Sequence, residues 1–213
     1  MSSNTQLDRA KMQTIIARYP RSRSAIMPLL HYVQSVAGFV TSEGIETIAK
    51  ILEIAPAEVS AVATFYTQYK RKPVGEYHVG VCTNTLCAVM GGDAIFSALI
   101  DHLGIENDGV TADGKVSLEH IECNAACDYA PVVMANWEFY DNQTVESAKS
   151  LVDGARAGNP PAPTRGPDRL VTFKEASAVL AGFDDGLAGQ GVQAGAPTLL
   201  GLTLARRLAK EGK

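Results

Sequence analysis

What this chain has little of narrows its chemistry first. Four cysteines in 213 residues are too few for a disulfide scaffold, and no Cys-x-x-Cys pair is present to act as a thioredoxin-style dithiol. There is no G-x-G-x-x-G after a strand, no phosphate loop and no nucleophile–base pairing, so nothing in the sequence points to bond-making chemistry. No apolar run approaches the ~20 residues that span a bilayer. The opening MSSNTQLDRAKMQ is polar and lacks the basic-then-apolar run of a signal peptide. The expectation is a cytoplasmic chain, or one that faces the cytoplasm on a larger assembly.

Basic residues are missing where the cysteines are. From Pro73 to Ala148 there are twelve acidic residues and one basic residue, Lys115, whereas the rest of the chain carries eleven acids and eighteen bases. Such a stretch is a poor surface for nucleic acid or for dinucleotide phosphates, both of which are bound largely through Lys and Arg. A solvated acidic face that aids solubility explains part of the asymmetry.

Three regions follow from periodicity and punctuation. Residues 1–72 read as a small helical bundle. SAIMPLLHYVQSVAG puts Leu29, Leu30, Val33, Val36 and Ala37 on one face and stops at Gly38; TSEGIETIAKILEI begins with a Ser or Thr cap; Pro56 suits a first helical turn. Residues 73–157 change pattern to strand, helix, strand, strand, strand, helix. YHVGV and KVSLEHIE are strand-like, GGDAIFSALIDHLG is helical, and a hairpin turns near Ala135-Asn136. This is α/β with a mixed sheet, in the manner of a thioredoxin-like domain. Residues 158–213 read as a Pro/Gly-rich linker and a helical extension. A Thr172–Glu175 capping box opens its first helix and a basic amphipathic helix ends it. Met27, Met90 and Met134 suit core filling, and His31, His78 and His102 suit surface or core-edge positions.

Cys82 and Cys87 form C-x₄-C directly after one strand; Cys123 and Cys127 form C-x₃-C directly after another. The 35 residues between the pairs accommodate a helical crossover, which makes the two strands parallel and brings both pairs to one sheet edge. Four thiolates at one point make a metal site. Structural zinc favours tighter knuckles, whereas wider loops reach around a two-iron rhomb. His120 is the only histidine near a cysteine, and it alternates to the strand face opposite Cys123, which argues against a Rieske centre. The spacing favours [2Fe–2S]; zinc and inert buried thiols stay open.

The arrangement C-x₄-C, a long gap, C-x₃-C and then DYAP resembles the 24-kDa-type [2Fe–2S] subunit family of respiratory NADH–quinone oxidoreductase, complex I. PLLHYVQ, VATFYTQY, GVCTNTLC and CDYAPVVMANWEFYDNQT extend the resemblance over roughly residues 15–155. It implies a thioredoxin-like ferredoxin domain behind a small N-terminal helical bundle, with one [2Fe–2S] cluster on Cys82, Cys87, Cys123 and Cys127. It implies a non-catalytic, electron-carrying subunit on the cytoplasmic side of the membrane. It also implies that FMN and NADH belong to a partner flavoprotein subunit, with a further iron–sulfur subunit nearby. A diaphorase-type subunit of an NAD-dependent formate dehydrogenase or an NAD-linked hydrogenase resembles the same family. A zinc-stapled interaction module is the non-redox alternative. The family commonly has Leu-Gly after the third cysteine where this chain has Asn124-Ala125, and Asn124 is expected to take up the left-handed strain. Glu119, Glu122 and Asp128, with no Lys or Arg between Val116 and Ala148, set the expectation of a low-potential cluster.

Overall fold

The computed structural model describes residues 7–212 and divides into two compact units. The first comprises the chain up to Tyr77 together with Val171–Gly186; the second comprises His78–Leu170 and Leu187 onward.

Helices build the first unit: α1 (Arg9–Ile16), α2 (Ile26–Ala37), α3 (Ser42–Leu52), α4 (Pro56–Phe65) and, from much later in the chain, α8 (Phe173–Leu180). Their limits are set by local chemistry. Asp8 caps α1 through its carboxylate, Thr41 caps α3 by accepting from the Gly44 N–H, and Pro56 starts α4. The α2 helix ends because Gly38 adopts φ 86°, a left-handed conformation that costs glycine little. The apolar faces of these helices meet in one core around Met12, Ile15, Leu29, Leu30, Val33, Ile48 and Val59.

The capping box at Thr172 and Glu175 forms as expected. The helix it opens does not extend away from the bundle, however. Phe173, Ala176 and Ser177 are buried, α8 packs against α2, and Ala181 joins the bundle core. Gln34 on α2 is fully buried and binds three segments together. Its amide donates to the Gln68 carbonyl (3.2 Å) and the Ser177 hydroxyl (3.3 Å), and its oxygen accepts from the Lys70 N–H (2.8 Å). Residues 158–213, expected as one extension, are thus divided between the two units.

The second unit is built on a sheet ordered β2 (Gly109–Val110), β3 (Val116–Ile121), β1 (Tyr77–Cys82), β4 (Val133–Ala135), β5 (Glu138–Tyr140). Antiparallel pairs join β2 to β3, β1 to β4 and β4 to β5. The β1 and β3 strands run in the same direction. His78 near the start of β1 meets Ser117 near the start of β3, while Asn84 just past β1 donates to the carbonyl of Ile121 at the end of β3. The crossover between them is α5 (Thr85–Val89) and α6 (Gly92–Leu103). Helices α6 and α7 (Val145–Arg156) pack on β3, burying Ile95, Leu99, Val116, Leu118, Leu151 and Val152. Asn136 and Trp137 turn the β4–β5 hairpin, both with positive φ, as a two-residue turn matched to strand twist requires. The two-residue strand β2 is too short to leave an alternation signal in the sequence.

Beyond α7 the Pro-rich stretch is held along the sheet edge. The Tyr140 hydroxyl donates to Pro161 O (2.7 Å), the Thr164 N–H donates to Phe139 O (2.9 Å), and Arg165 bridges to Phe139 in antiparallel fashion. The final helix α9 (Ala196–Lys210) buries no residue. No described helix is long and apolar enough to cross a membrane.

Four side-chain expectations are corrected. His31 and His78 are buried, not peripheral, whereas Met27 and Met90 are exposed instead of filling the core; Met134 is buried as expected. His31 packs against the Tyr69 ring at 4.7 Å, and burial pushes its pKa from 6.5 down to about 4. The folded chain therefore refuses a proton that the unfolded chain accepts below about pH 6.5. The stability this contributes is complete above that value and is lost progressively as pH falls towards 4, by at most about 3 kcal/mol. Denaturant unfolding across this window should show a steeper acid loss in the wild type than in His31→Phe. Parallel curves would contradict the assignment.

Candidate metal centre

Two segments deliver the four cysteines to one place. Cys82 is the last residue of β1 and is 2% exposed; Cys87 lies on the short helix α5 and is 3% exposed. Cys123 and Cys127 flank the loop after β3 and are exposed, Cys127 opening a single 3₁₀ turn through Tyr129. All four are free thiols. The loops meet in a small apolar cluster in which Ala126, from the second pair, packs with Cys82, Cys87, Ala130 and Val132, while Ile121 and Phe139 cover it.

The electrostatics show the same convergence. Burial pushes the Cys87 thiol up to about 11, the neighbouring Cys82 and Cys127 sulfurs add to the rise, and a backbone hydrogen bond from Val132 offsets part of it. Cys127 is also raised, first by its hydrogen bond with Cys123, then by burial, and then by the charges of Cys123, Cys82 and Asp128. Each thiolate thus makes the next harder to form, and the influence of Cys82 on Cys127 links the two pairs. Among the described residues no group of three or more His, Cys, Asp or Glu side chains forms a cage for a single ion; the sulfurs associate as Cys82 with Cys87 and Cys123 with Cys127.

The donor set is all sulfur. His120 has its ring against Phe96, while its backbone N–H donates to Asn107 Oδ1 at 2.9 Å. Soft thiolates without imidazole select zinc, copper(I) or iron–sulfur clusters. Two features of the loop fit a group bearing inorganic sulfur. The Ala125 N–H points to Cys123 Sγ at 3.4 Å, and Asn124 Nδ2 is buried with no hydrogen-bond partner. A buried orphan donor is costly unless an acceptor completes it.

The expected role of Asn124 is corrected. The residue with positive φ is Ala125, at 54°, so a Cβ-bearing residue, not the asparagine, occupies the left-handed position. Of the acids expected to surround the site, Asp128 adjoins Cys127 and accepts from the Thr198 hydroxyl of α9. Glu119 instead faces the His78 ring nitrogen at 2.8 Å. Arg165, which carried no signal in the sequence, lies over the rings of Tyr129 and Phe139 beside the site.

Comparison with known proteins identifies relatives by sequence and by fold. Residues 12–156 match the family described as thioredoxin-like [2Fe–2S] ferredoxin. The chain is 59% identical over 194 residues to an NADH-quinone oxidoreductase subunit from Mycobacterium tuberculosis, covering 91% of this chain and 77% of that one. It is 39% identical over 150 residues to NADH-quinone oxidoreductase subunit 2 of Thermus thermophilus, covering 69% and 83% respectively. Among solved structures, an NAD⁺-reducing [NiFe]-hydrogenase in the air-oxidised state is similar in fold. Its TM-score is 0.57 at 19% identity, over 63% of this chain and 23% of that one.

Gly92 supplies the tightest local constraint. A Cβ there would lie 2.5 Å from the Cys82 carbonyl oxygen and 2.9 Å from that of Cys87. Alanine would gain at most about 1 kcal/mol of helix propensity, but the atoms in its way are backbone, so either α6 or the Cys82–Cys87 loop must move. In the metal-free chain, Gly92→Ala should raise the rate of thiol labelling at Cys82 and Cys87 by more than about tenfold, consistent with a local opening cost of about 1–3 kcal/mol. Unchanged labelling would show that the loop does not depend on this contact.

Proposed function

Because the chain belongs to the thioredoxin-like [2Fe–2S] ferredoxin family, we propose that Cys82, Cys87, Cys123 and Cys127 hold its single [2Fe–2S] cluster. In this reading the protein is the electron-carrying subunit of an NADH–quinone oxidoreductase. The observation that carries the assignment is the meeting of the two cysteine pairs at the ends of adjacent parallel strands, where the thiols raise one another's pKa. A bound [2Fe–2S] cluster supplies one-electron transfer at near-constant geometry.

The chain's own residues divide the remaining work. Cys82 and Cys87 anchor from the buried side, under Ile121 and Phe139, which limits water access. Cys123 and Cys127 form the exposed side, the face through which an electron is exchanged with a partner. Glu122 and Asp128 place negative charge along that face. Because reduction adds negative charge to a site that already carries four thiolates, these carboxylates disfavour the reduced state and lower the potential.

The partner in this reading is the subunit that binds FMN and NADH, with a second iron–sulfur subunit beyond it, on the cytoplasmic face of the membrane. The relatives at 59% and 39% identity favour this host over an NAD-linked hydrogenase, whose similarity is one of fold. The test is anaerobic reduction by NADH followed by EPR. The chain together with its flavoprotein partner should give a rhombic S = 1/2 signal on adding NADH, and the isolated chain should give it only with dithionite. A chain that dithionite reduces but NADH plus flavoprotein does not would contradict the proposed role.

A further inference from the structure

Arg165 comes from the Pro-rich stretch, far in sequence from every cysteine, yet its guanidinium lies between two rings of the site. It is 4.3 Å from the centroid of Phe139, which packs against the cluster formed by Cys82, Cys87, Ala126, Ala130 and Val132, and 5.2 Å from that of Tyr129, two residues beyond Cys127. Its Nη2 donates to Asp141 Oδ1 at 2.8 Å, with side-chain exposures of 14% and 6% for Arg165 and Asp141. Asp141 is fixed from its other side: Oδ2 accepts from the Thr164 hydroxyl at 2.9 Å, and the same hydroxyl accepts from the Asp141 N–H at 2.9 Å. Arg165 Nε is buried without a hydrogen-bond partner, so the rings and Asp141, not a full set of acceptors, hold the guanidinium in place.

This placement brings a fixed cation into a region where the sequence has almost none. Between Pro73 and Ala148 the only basic residue is Lys115, on the turn that precedes β3. A guanidinium stacked on a ring that packs against the cluster holding Cys82 and Cys87, in a partly desolvated setting, acts on nearby charge more strongly than a surface lysine does. The aromatic faces orient it, and Asp141 carries the opposing charge on the Thr164 side.

Resting on the cluster assignment above, we propose that Arg165 is a positioning residue that also sets the site's electron affinity. It holds the Tyr129 turn that carries Cys127, and its positive charge opposes the surrounding carboxylates, so that the reduced state is less disfavoured than the acidic stretch alone would make it. Asp141 tempers the same charge. A mere clamp would be weakened alike by loss of either partner, whereas an electrostatic role requires the two losses to act with opposite sign.

The experiment is an anaerobic, EPR-monitored redox titration of the full-length, cluster-loaded chain as wild type, Arg165→Gln, Asp141→Asn and Arg165→Lys. Arg165→Gln should lower the equilibrium constant for reduction on the order of tenfold, about 59 mV for a one-electron couple. Asp141→Asn should raise it. Arg165→Lys, which keeps the charge and loses the planar stack, should stay within about threefold of wild type. If Arg165→Gln does not retain its cluster, the other two variants decide: an upward shift for Asp141→Asn with a near-normal Arg165→Lys supports the proposal. Shifts of the same sign, or none, in a wild type that is loaded and reducible would overturn the role of Arg165 and leave the cluster assignment intact. A wild type without iron and sulfide would overturn both.

Discussion

Two cysteine pairs separated by 35 residues must reach the same point, and the parallel pairing of β1 and β3 is what brings them there. Strands that run in the same direction end at the same edge of the sheet, so residues placed just after each strand become neighbours without any long-range search. The rest of the second unit serves that register. The α5–α6 crossover supplies the return, its first α6 turn sits directly on the carbonyls of Cys82 and Cys87 at Gly92, and β4 closes the other side of β1. The sulfurs converge although burial and mutual repulsion oppose their ionisation. A metal core bound at this site would offset that opposition, because it takes up the charge that ionisation leaves on sulfur.

The C-terminal part of the chain has a structural role in both units. Its first helix completes the helical bundle, where Phe173 is buried and Ser177 meets Gln34. Its flanking segments lie along the cysteine-bearing unit, through Arg165 on Phe139 and Thr198 on Asp128. A chain that alternates between units in this way uses late residues to finish cores begun early. Fusions or truncations that treat everything past Gly158 as dispensable would remove core side chains from the bundle and leave Asp141 without Arg165.

Much of this was legible in the sequence because the relevant signals are local. Periodicity located the helices of the bundle, Gly38 and Thr41 marked their ends, the Thr172–Glu175 box gave the start of α8, and the two strand–cysteine junctions gave the convergence. The misses are equally physical. An amphipathic helix shows which face is apolar but not which partner covers it, so α8 read as part of a tail. A lone histidine looks the same in sequence whether it stacks on Tyr69 or sits in solvent, and a methionine is compatible with either environment, as Met27 and Met90 show. Asn124 was the residue whose intrinsic preference suited a left-handed backbone, yet the loop imposed that conformation on Ala125. Arg165 sits in a Pro-rich run where no periodicity could have marked it, and only the path of the folded chain places it beside the cysteines.

The central claim is that these four sulfurs hold two irons and two inorganic sulfides. The measurement that meets it most directly is the iron, acid-labile sulfide and zinc content of the anaerobically prepared full-length chain, beside its four single Cys→Ala variants. The account predicts two irons and two sulfides per wild-type chain, as one [2Fe–2S] cluster requires, and a marked loss of both in each of Cys82→Ala, Cys87→Ala, Cys123→Ala and Cys127→Ala. One zinc per chain with no sulfide, or a full complement of iron and sulfide surviving the loss of any one of the four cysteines, would contradict it.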